Sequence, residues 1–116
     1  MDLAAKLQLK PAQRVVLIGA PESVEQALSE RGTADGSAGD AVLVFVRTRA
    51  DLDEAVGAVD AALAGRLAWV AYPKGGALGT DLNRDTLAAR LRERGIRPVR
   101  QVAVDETWSA LRVRPA

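Results

Sequence analysis

The chain contains no cysteine and no histidine. Without thiols there are no disulfides, zinc ribbons, thiol nucleophiles or iron–sulfur ligands. Without imidazole there is no Ser-His-Asp triad, no histidine-bound metal and no histidine acid–base step. Proton transfer would fall to Asp, Glu, Lys or the single tyrosine, Tyr72. Aromatic residues are scarce too: Phe45, Trp69, Tyr72 and Trp108 make up 3% of the chain. Few bases could stack on so few rings, and the core has to be built from Ala, Val, Leu and Ile. No apolar run approaches the ~20 residues that span a bilayer. The start, Met1-Asp2-Leu3-Ala4-Ala5-Lys6, carries an acid and lacks the apolar stretch of a secretory signal. These absences describe a bacterial-sized cytoplasmic protein with no metal and no membrane partner.

What is present suits one folded domain over residues 1–116, with 48% hydrophobic and 27% charged residues. The net charge of +1 conceals an asymmetry, because Arg84, Arg90, Arg92, Arg94, Arg97, Arg100, Arg112 and Arg114 all lie in the last third. A run of this kind reads either as a phosphate-binding surface or as a solvated helix face beside a strand pair. The lack of interleaved aromatics favours the solvated face over a nucleic-acid surface.

Along the chain, 2–7 reads as a short helix capped by Asp2 and stopped before Pro11. Val15-Val16-Leu17-Ile18 is a continuous apolar run ending at Gly19, the pattern of a strand buried on both faces. Ser23-Val24-Glu25-Gln26 has the spacing of a capping box, followed by the apolar stripe Val24, Ala27 and Leu28. Residues 32–40 form a loop by composition, and 41–46 form a second apolar strand. Asp51 or its predecessor is expected to cap a helix with the stripe Leu52, Val56, Val59 and Leu63, closed by Gly65. A third strand covers 67–72 and ends at Pro73. A Gly-rich loop, 74–79, precedes a helix bearing Leu87, Ala88 and Leu91, with Gly95 at its end. Residues 99–104 and 108–113 are strand-like and separated only by Asp105-Glu106-Thr107, so they must form an antiparallel hairpin. Val16, Ile18, Val44, Val46, Leu67 and Val70 are the expected centre of the core.

Strand–helix alternation with right-handed crossovers gives a parallel sheet. The fold class is therefore α/β, a three-layer Rossmann-like, mostly parallel sheet of about five strands that ends in an antiparallel β-hairpin. A parallel sheet closed by a hairpin, with the last strand inserted antiparallel, resembles the class I S-adenosylmethionine-dependent methyltransferases. Ala64-Gly65-Arg66-Leu67-Ala68-Trp69-Val70 is similar to their helix–Gly turn–strand step. The resemblance implies a cofactor loop after the first strand and an acid ending the second strand to hold ribose. Here the loop reads Gly19-Ala20-Pro21-Glu22-Ser23, with only the first glycine matched. The nine residues 32–40 are too few for the family's second and third strands with their helix. Four further stretches, including Trp69-Val70-Ala71-Tyr72-Pro73-Lys74 and Asp105-Glu106-Thr107-Trp108, resemble a family of small bacterial proteins described only as a domain of unknown function.

Ligands of open α/β sheets bind beyond the carboxyl ends of the strands. Gly19, Glu22, Arg47, Lys74, Asp81, Asn83, Asp105 and Trp108 fall on that rim and are the candidate binding residues. Asp81 and Asn83 also read as helix caps, Asp105 as a turn residue, Arg47 with Asp51 as a surface ion pair, and Trp108 as either packing or the wall of a pocket. No catalytic set and no cofactor is assigned. The expected function is that of a non-catalytic interaction domain on a degenerate methyltransferase-like scaffold, acting as a homodimer. Alternatives are a binder of an anionic small molecule or nucleotide at the rim, and a methyltransferase with an atypical cofactor loop.

Overall fold

Three stretches of the chain are apolar at nearly every position, and each becomes a strand that is largely buried. In the computed structural model, which describes residues 3–9, 15–28, 41–53 and 67–115, they are β1 (Val15–Ile18), β2 (Ala41–Phe45) and β3 (Leu67–Pro73). They pair in parallel, with Val15 opposite Ala41 and Ala41 opposite Leu67. Two more strands, β4 (Ile96–Ala103) and β5 (Trp108–Pro115), form the hairpin. The sheet order is β1-β2-β3-β5-β4. The last strand thus runs antiparallel between β3 and β4, with Pro73 opposite Trp108 and Val102 opposite Ala110.

Successive side chains of a strand point to opposite faces, and the core divides accordingly. One cluster joins Val42, Val44, Val70 and Leu111 to Leu52, Leu87 and Leu91. The last two come from α4 (Arg84–Glu93), and Leu52 from α3, whose described part is residues 49–53. The other cluster joins Leu43, Phe45, Trp69 and Trp108 to Val24 and Leu28, at the end of α2 (Glu22–Ala27), and to Leu7, just after α1 (Leu3–Lys6). The buried Trp69 indole donates to the Leu7 carbonyl at 2.9 Å, so its one polar atom is satisfied inside the core.

The helix starts depart from expectation. α2 begins one residue before Ser23: Pro21 is its N-cap, extended at φ −63° and ψ 154°, and no side chain caps it. The Pro21 carbonyl accepts from the Val24 and Glu25 amides, leaving Ser23 inside the first turn and the expected capping box unformed. Proline, with φ already fixed, takes that place at no further conformational cost. At α3 the cap is Thr48, whose hydroxyl accepts from the Asp51 amide at 3.1 Å. Asp51 sits three residues further on and accepts from the Arg47 amide at 3.0 Å. The expected Arg47–Asp51 ion pair is therefore a backbone bond to the carboxylate.

Residues Lys74–Gly79 form a 3-10 helix rather than an open loop. β4 starts three residues earlier than expected, carrying Pro98 into the sheet with a register shift between Pro98 and Arg100. Proline and a bulge are tolerated there because β4 is an outer strand. Val16, Val44, Val46 and Val70 are buried as expected, whereas Ile18 and Leu67, at strand ends, are only partly so. Gly95 follows α4 at φ +76°, as its reading as a helix stop requires. The expected cap Asp2, the stop at Pro11, the loop 32–40 and Val56, Val59, Leu63 and Gly65 lie outside the described residues.

Candidate functional site at the carboxyl edge

The carboxyl ends of β1, β2 and β3 and the turn between β4 and β5 lie along one rim, as parallel pairing with a closing hairpin dictates. At β1 the chain turns at Gly19, with φ +69°. A Cβ there would lie 2.9 Å from the Phe45 carbonyl oxygen, so glycine is needed both for backbone conformation and for the approach of β2. Glu22 follows as the exposed first residue of α2, with the Gln26 side-chain amide 3.4 Å from its carboxylate. Glu22 and Glu25 are favourable charges in a first helical turn. They also oppose any phosphate placed there.

At the end of β2, Phe45 meets Trp108 edge to face, with ring centroids 5.0 Å apart and planes at 77°. The Arg47 guanidinium carbon lies 5.3 Å from the Trp108 ring centroid. Trp108 is only 3% exposed. It is packed between an aromatic edge and a cation.

The loop after β3 is tied to its neighbours on both sides. The Thr80 hydroxyl donates to the Arg47 carbonyl at 2.5 Å and accepts from the Leu82 amide at 3.0 Å. Asp81 accepts from the Arg49 amide at 2.9 Å, with the Arg49 Nε 3.9 Å from its second oxygen. Asp81 is thus a staple between loops and not a helix cap. Asn83 caps α4, accepting from the Thr86 amide at 2.8 Å. On the other side, Lys74 donates through Nζ to the Asp105 carbonyl at 2.6 Å and through its amide to the Thr107 carbonyl at 2.8 Å. Asp105 closes the hairpin turn, its carboxylate accepting from the Thr107 and Trp108 amides at 2.8 Å each.

Six of the eight candidates are therefore joined in two local groups. Arg47, Asp81 and Asn83 lie on linked loops after β2 and β3, and Lys74, Asp105 and Trp108 at the hairpin turn. The Arg47–Trp108 stack joins the two groups, while Gly19 and Glu22 stand apart at β1. Thr48 and Thr80 are the organising residues that sequence reasoning did not single out. Thr48 precedes an acid three residues later, a capping spacing that would have revealed it.

Beside this rim lies a cavity of about 410 Å³ lined by Tyr72, Lys74, Asn83, Arg84, Gln101 and Ser109, among others. The Gln101 amide donates to the Tyr72 hydroxyl at 3.3 Å and to Ser109 Oγ at 3.0 Å, and Ser109 donates to the Val102 carbonyl at 3.3 Å. Sequence reasoning missed this polar set, whose signal was a serine and a glutamine inside strand-like runs. Among the described residues no group of three or more His, Cys, Asp or Glu is placed to hold a metal ion. Among those residues no helix is long and apolar enough to cross a membrane.

The structure is similar to that of a protein in the NADB-Rossmann superfamily from Streptococcus agalactiae, with a TM-score of 0.57. The likeness covers 97% of this chain and 67% of that one at 13% sequence identity. At that identity the similarity concerns the fold alone, and it is a Rossmann-like α/β fold. No protein-family model and no curated protein sequence matches the chain.

Proposed function

We propose that this chain is a non-catalytic interaction domain, its 116 residues folded as one unit on a degenerate methyltransferase-like scaffold. The observation that carries this reading is what the rim does with its polar groups. Lys74 holds the hairpin turn, Asp81 holds the β2 loop, Asn83 caps α4, Asp105 closes its own turn and Arg47 covers Trp108. They fasten the loops to one another. The insertion of β5 between β3 and β4 supports the methyltransferase resemblance, and the two core clusters, each with helical residues, support a three-layer arrangement. Pro21 at the turn and Glu22 and Glu25 in the first helical turn speak against a cofactor phosphate there. A bacterial cytoplasmic homodimer fits the composition. Its contact is better sought along β1, an outer strand, than at Trp108, which is already buried.

Thermal melts with S-adenosylmethionine, NAD and simple anions test the reading. A ligand at about 100 times its Kd adds ~2.7 kcal/mol, equivalent to a rise of roughly 10 °C in a domain of this size. No rise is expected with S-adenosylmethionine or NAD. A concentration-dependent rise with S-adenosylmethionine would establish the methyltransferase alternative instead.

The 410 Å³ cavity carries a second reading, that of an anionic small-molecule site. It gathers Lys74 and Arg84 beside the Tyr72 hydroxyl, a mixture of cations and a polar donor of the kind such ligands require. On this reading phosphate or a nucleoside monophosphate raises the melting temperature, and Arg84→Ala abolishes the rise.

A further inference from the structure

The pairing of β4 with β5 places Arg97 opposite Arg114 and Arg100 opposite Arg112. Trp108 and Ala110 belong to the core cluster on one side of the sheet and Leu111 and Val113 to the other. Alternation therefore puts Arg112 and Arg114 on the Trp108 side, with Arg97 and Arg100 beside them. Four arginines share one face of a two-stranded ribbon, as two directly opposed like-charge pairs.

Such pairs cost stability. The strain is legible at Arg112, whose pKa is lowered by burial first and then by the charges of Arg114 and Arg100. Among the described residues no acid is paired with it: the ion pairs there are Arg49–Asp81 and Arg90–Asp53, both elsewhere. Arg112 is met instead by a neutral acceptor, Gln8 Oε1, at 2.5 Å. Lys6, 3.5 Å from the Ala103 carbonyl, adds a fifth cation nearby.

Protection of a sheet edge explains part of this. Charged side chains, a proline and a bulge on β4 all deter strand pairing by a second chain. That argument stops at β4. β5 is an interior strand, paired with both β3 and β4 from Trp108 to Val113, and Arg112 lies where no guard is needed.

We propose that this hairpin face binds the phosphate backbone of duplex nucleic acid without reading its sequence. All four residues are arginine, whose planar fork meets phosphate oxygens in pairs. The aromatic rings are in the wrong place for single strands, since Phe45, Trp69, Tyr72 and Trp108 are all buried. A surface of charge without stacking platforms suits a duplex. The proposal lies on a different surface from the carboxyl-edge reading and survives the failure of that reading. It gives the Arg-rich segment, read from sequence as a solvated face, a partner.

The test is fluorescence anisotropy with a labelled DNA duplex of about 20 base pairs at a series of salt concentrations. Binding in the micromolar range at low salt is expected. Four neutralised phosphates give a log–log salt slope of about −3 to −4, a loss of roughly a hundredfold between 50 and 200 mM. Arg112→Gln with Arg114→Gln should halve the slope and weaken binding at least tenfold, while leaving the melting temperature unchanged or higher. Arg49→Gln with Arg90→Gln removes equal charge from outside the hairpin and should have little effect on binding. The proposal is overturned by any of four results: no duplex binding at low salt, equal losses in the two double variants, tighter binding of a single strand, or displacement of the duplex by polyglutamate of equal charge. The last would identify an acidic protein as the partner.

Discussion

The two halves of the sheet are made from different materials. β1, β2 and β3 carry no charged side chain, and every residue of β2 is buried. β4 and β5 carry four arginines, and most of β4 is exposed. The parallel half has helices to cover it and is specified by apolar runs, because both of its faces leave water. The hairpin half is less enclosed, and Arg97 and Arg100 of β4 and Arg114 of β5 are exposed. Burial, not strand propensity, decides which residues a strand can hold. The first half supplies the stability that the second half draws on to hold like charges together.

The largest expected effect comes from breaking the parallel half. Val44 is 1% exposed in β2, between Ile18 and Val70 in the pairing register. Val44→Asp buries an unpaired carboxylate or forces it to stay protonated, a change of more than about 4 kcal/mol and a large share of the 5–15 kcal/mol typical of a domain. The variant should fail to melt cooperatively in calorimetry. A soluble Val44→Asp protein with a sharp transition would contradict the strand assignment.

The hinge between the halves is next. Trp108 touches Phe45 of the parallel half and opens β5. Trp108→Ala should cost ~3–5 kcal/mol, the range for removing a large buried aromatic. Arg47→Ala, which removes only the covering cation, should cost ~0.5–1 kcal/mol. Urea titrations of both variants measure the ratio. Comparable losses would mean that Arg47 holds the loop in place and does not merely cover the ring.

Gly19→Val probes the turn where β1 leaves the sheet. Left-handed backbone costs a β-branched residue ~1–3 kcal/mol, before the 2.9 Å approach to the Phe45 carbonyl is counted. A denaturant midpoint unchanged from the wild type would show that β1 and β2 can separate there without penalty.

The same contrast explains what the sequence disclosed. Strand β1 was legible to the residue and β2 and β3 to within one, because a strand buried on both faces must be apolar throughout. The start of β4 was not, since an outer strand tolerates Pro98 and Arg97, residues that read as loop. The position of the rim was legible because the carboxyl-edge rule needs only strand order. Its internal pairings were not. Arg49 and Asp81 are 32 residues apart, and nothing local announces that their loops adjoin. Local caps fell between: Asn83 was found from its type, while Pro21 displaced the better-looking Ser23 through its fixed φ.

The smallest effect sharpens the comparison most. Salt screens exposed charges within about 10 Å at 0.1 M and leaves apolar burial little changed in comparison. Raising salt should therefore relieve the Arg97–Arg114 and Arg100–Arg112 pairs, each costing ~0.2–1 kcal/mol by the measure of cross-strand pairs. It also weakens the exposed Arg49–Asp81 and Arg90–Asp53 bridges, whose worth is ~0–1 kcal/mol each. The two effects oppose each other, so the sign for the wild type alone decides nothing. The difference between proteins does. In Arg112→Gln with Arg114→Gln the repulsive pairs are gone and only the bridges respond, so added sodium chloride should lower its melting temperature relative to the wild type. If the two proteins respond identically to salt, the arginines of the hairpin do not feel one another, and the division of the sheet into a stabilising half and a strained half fails at its weaker end.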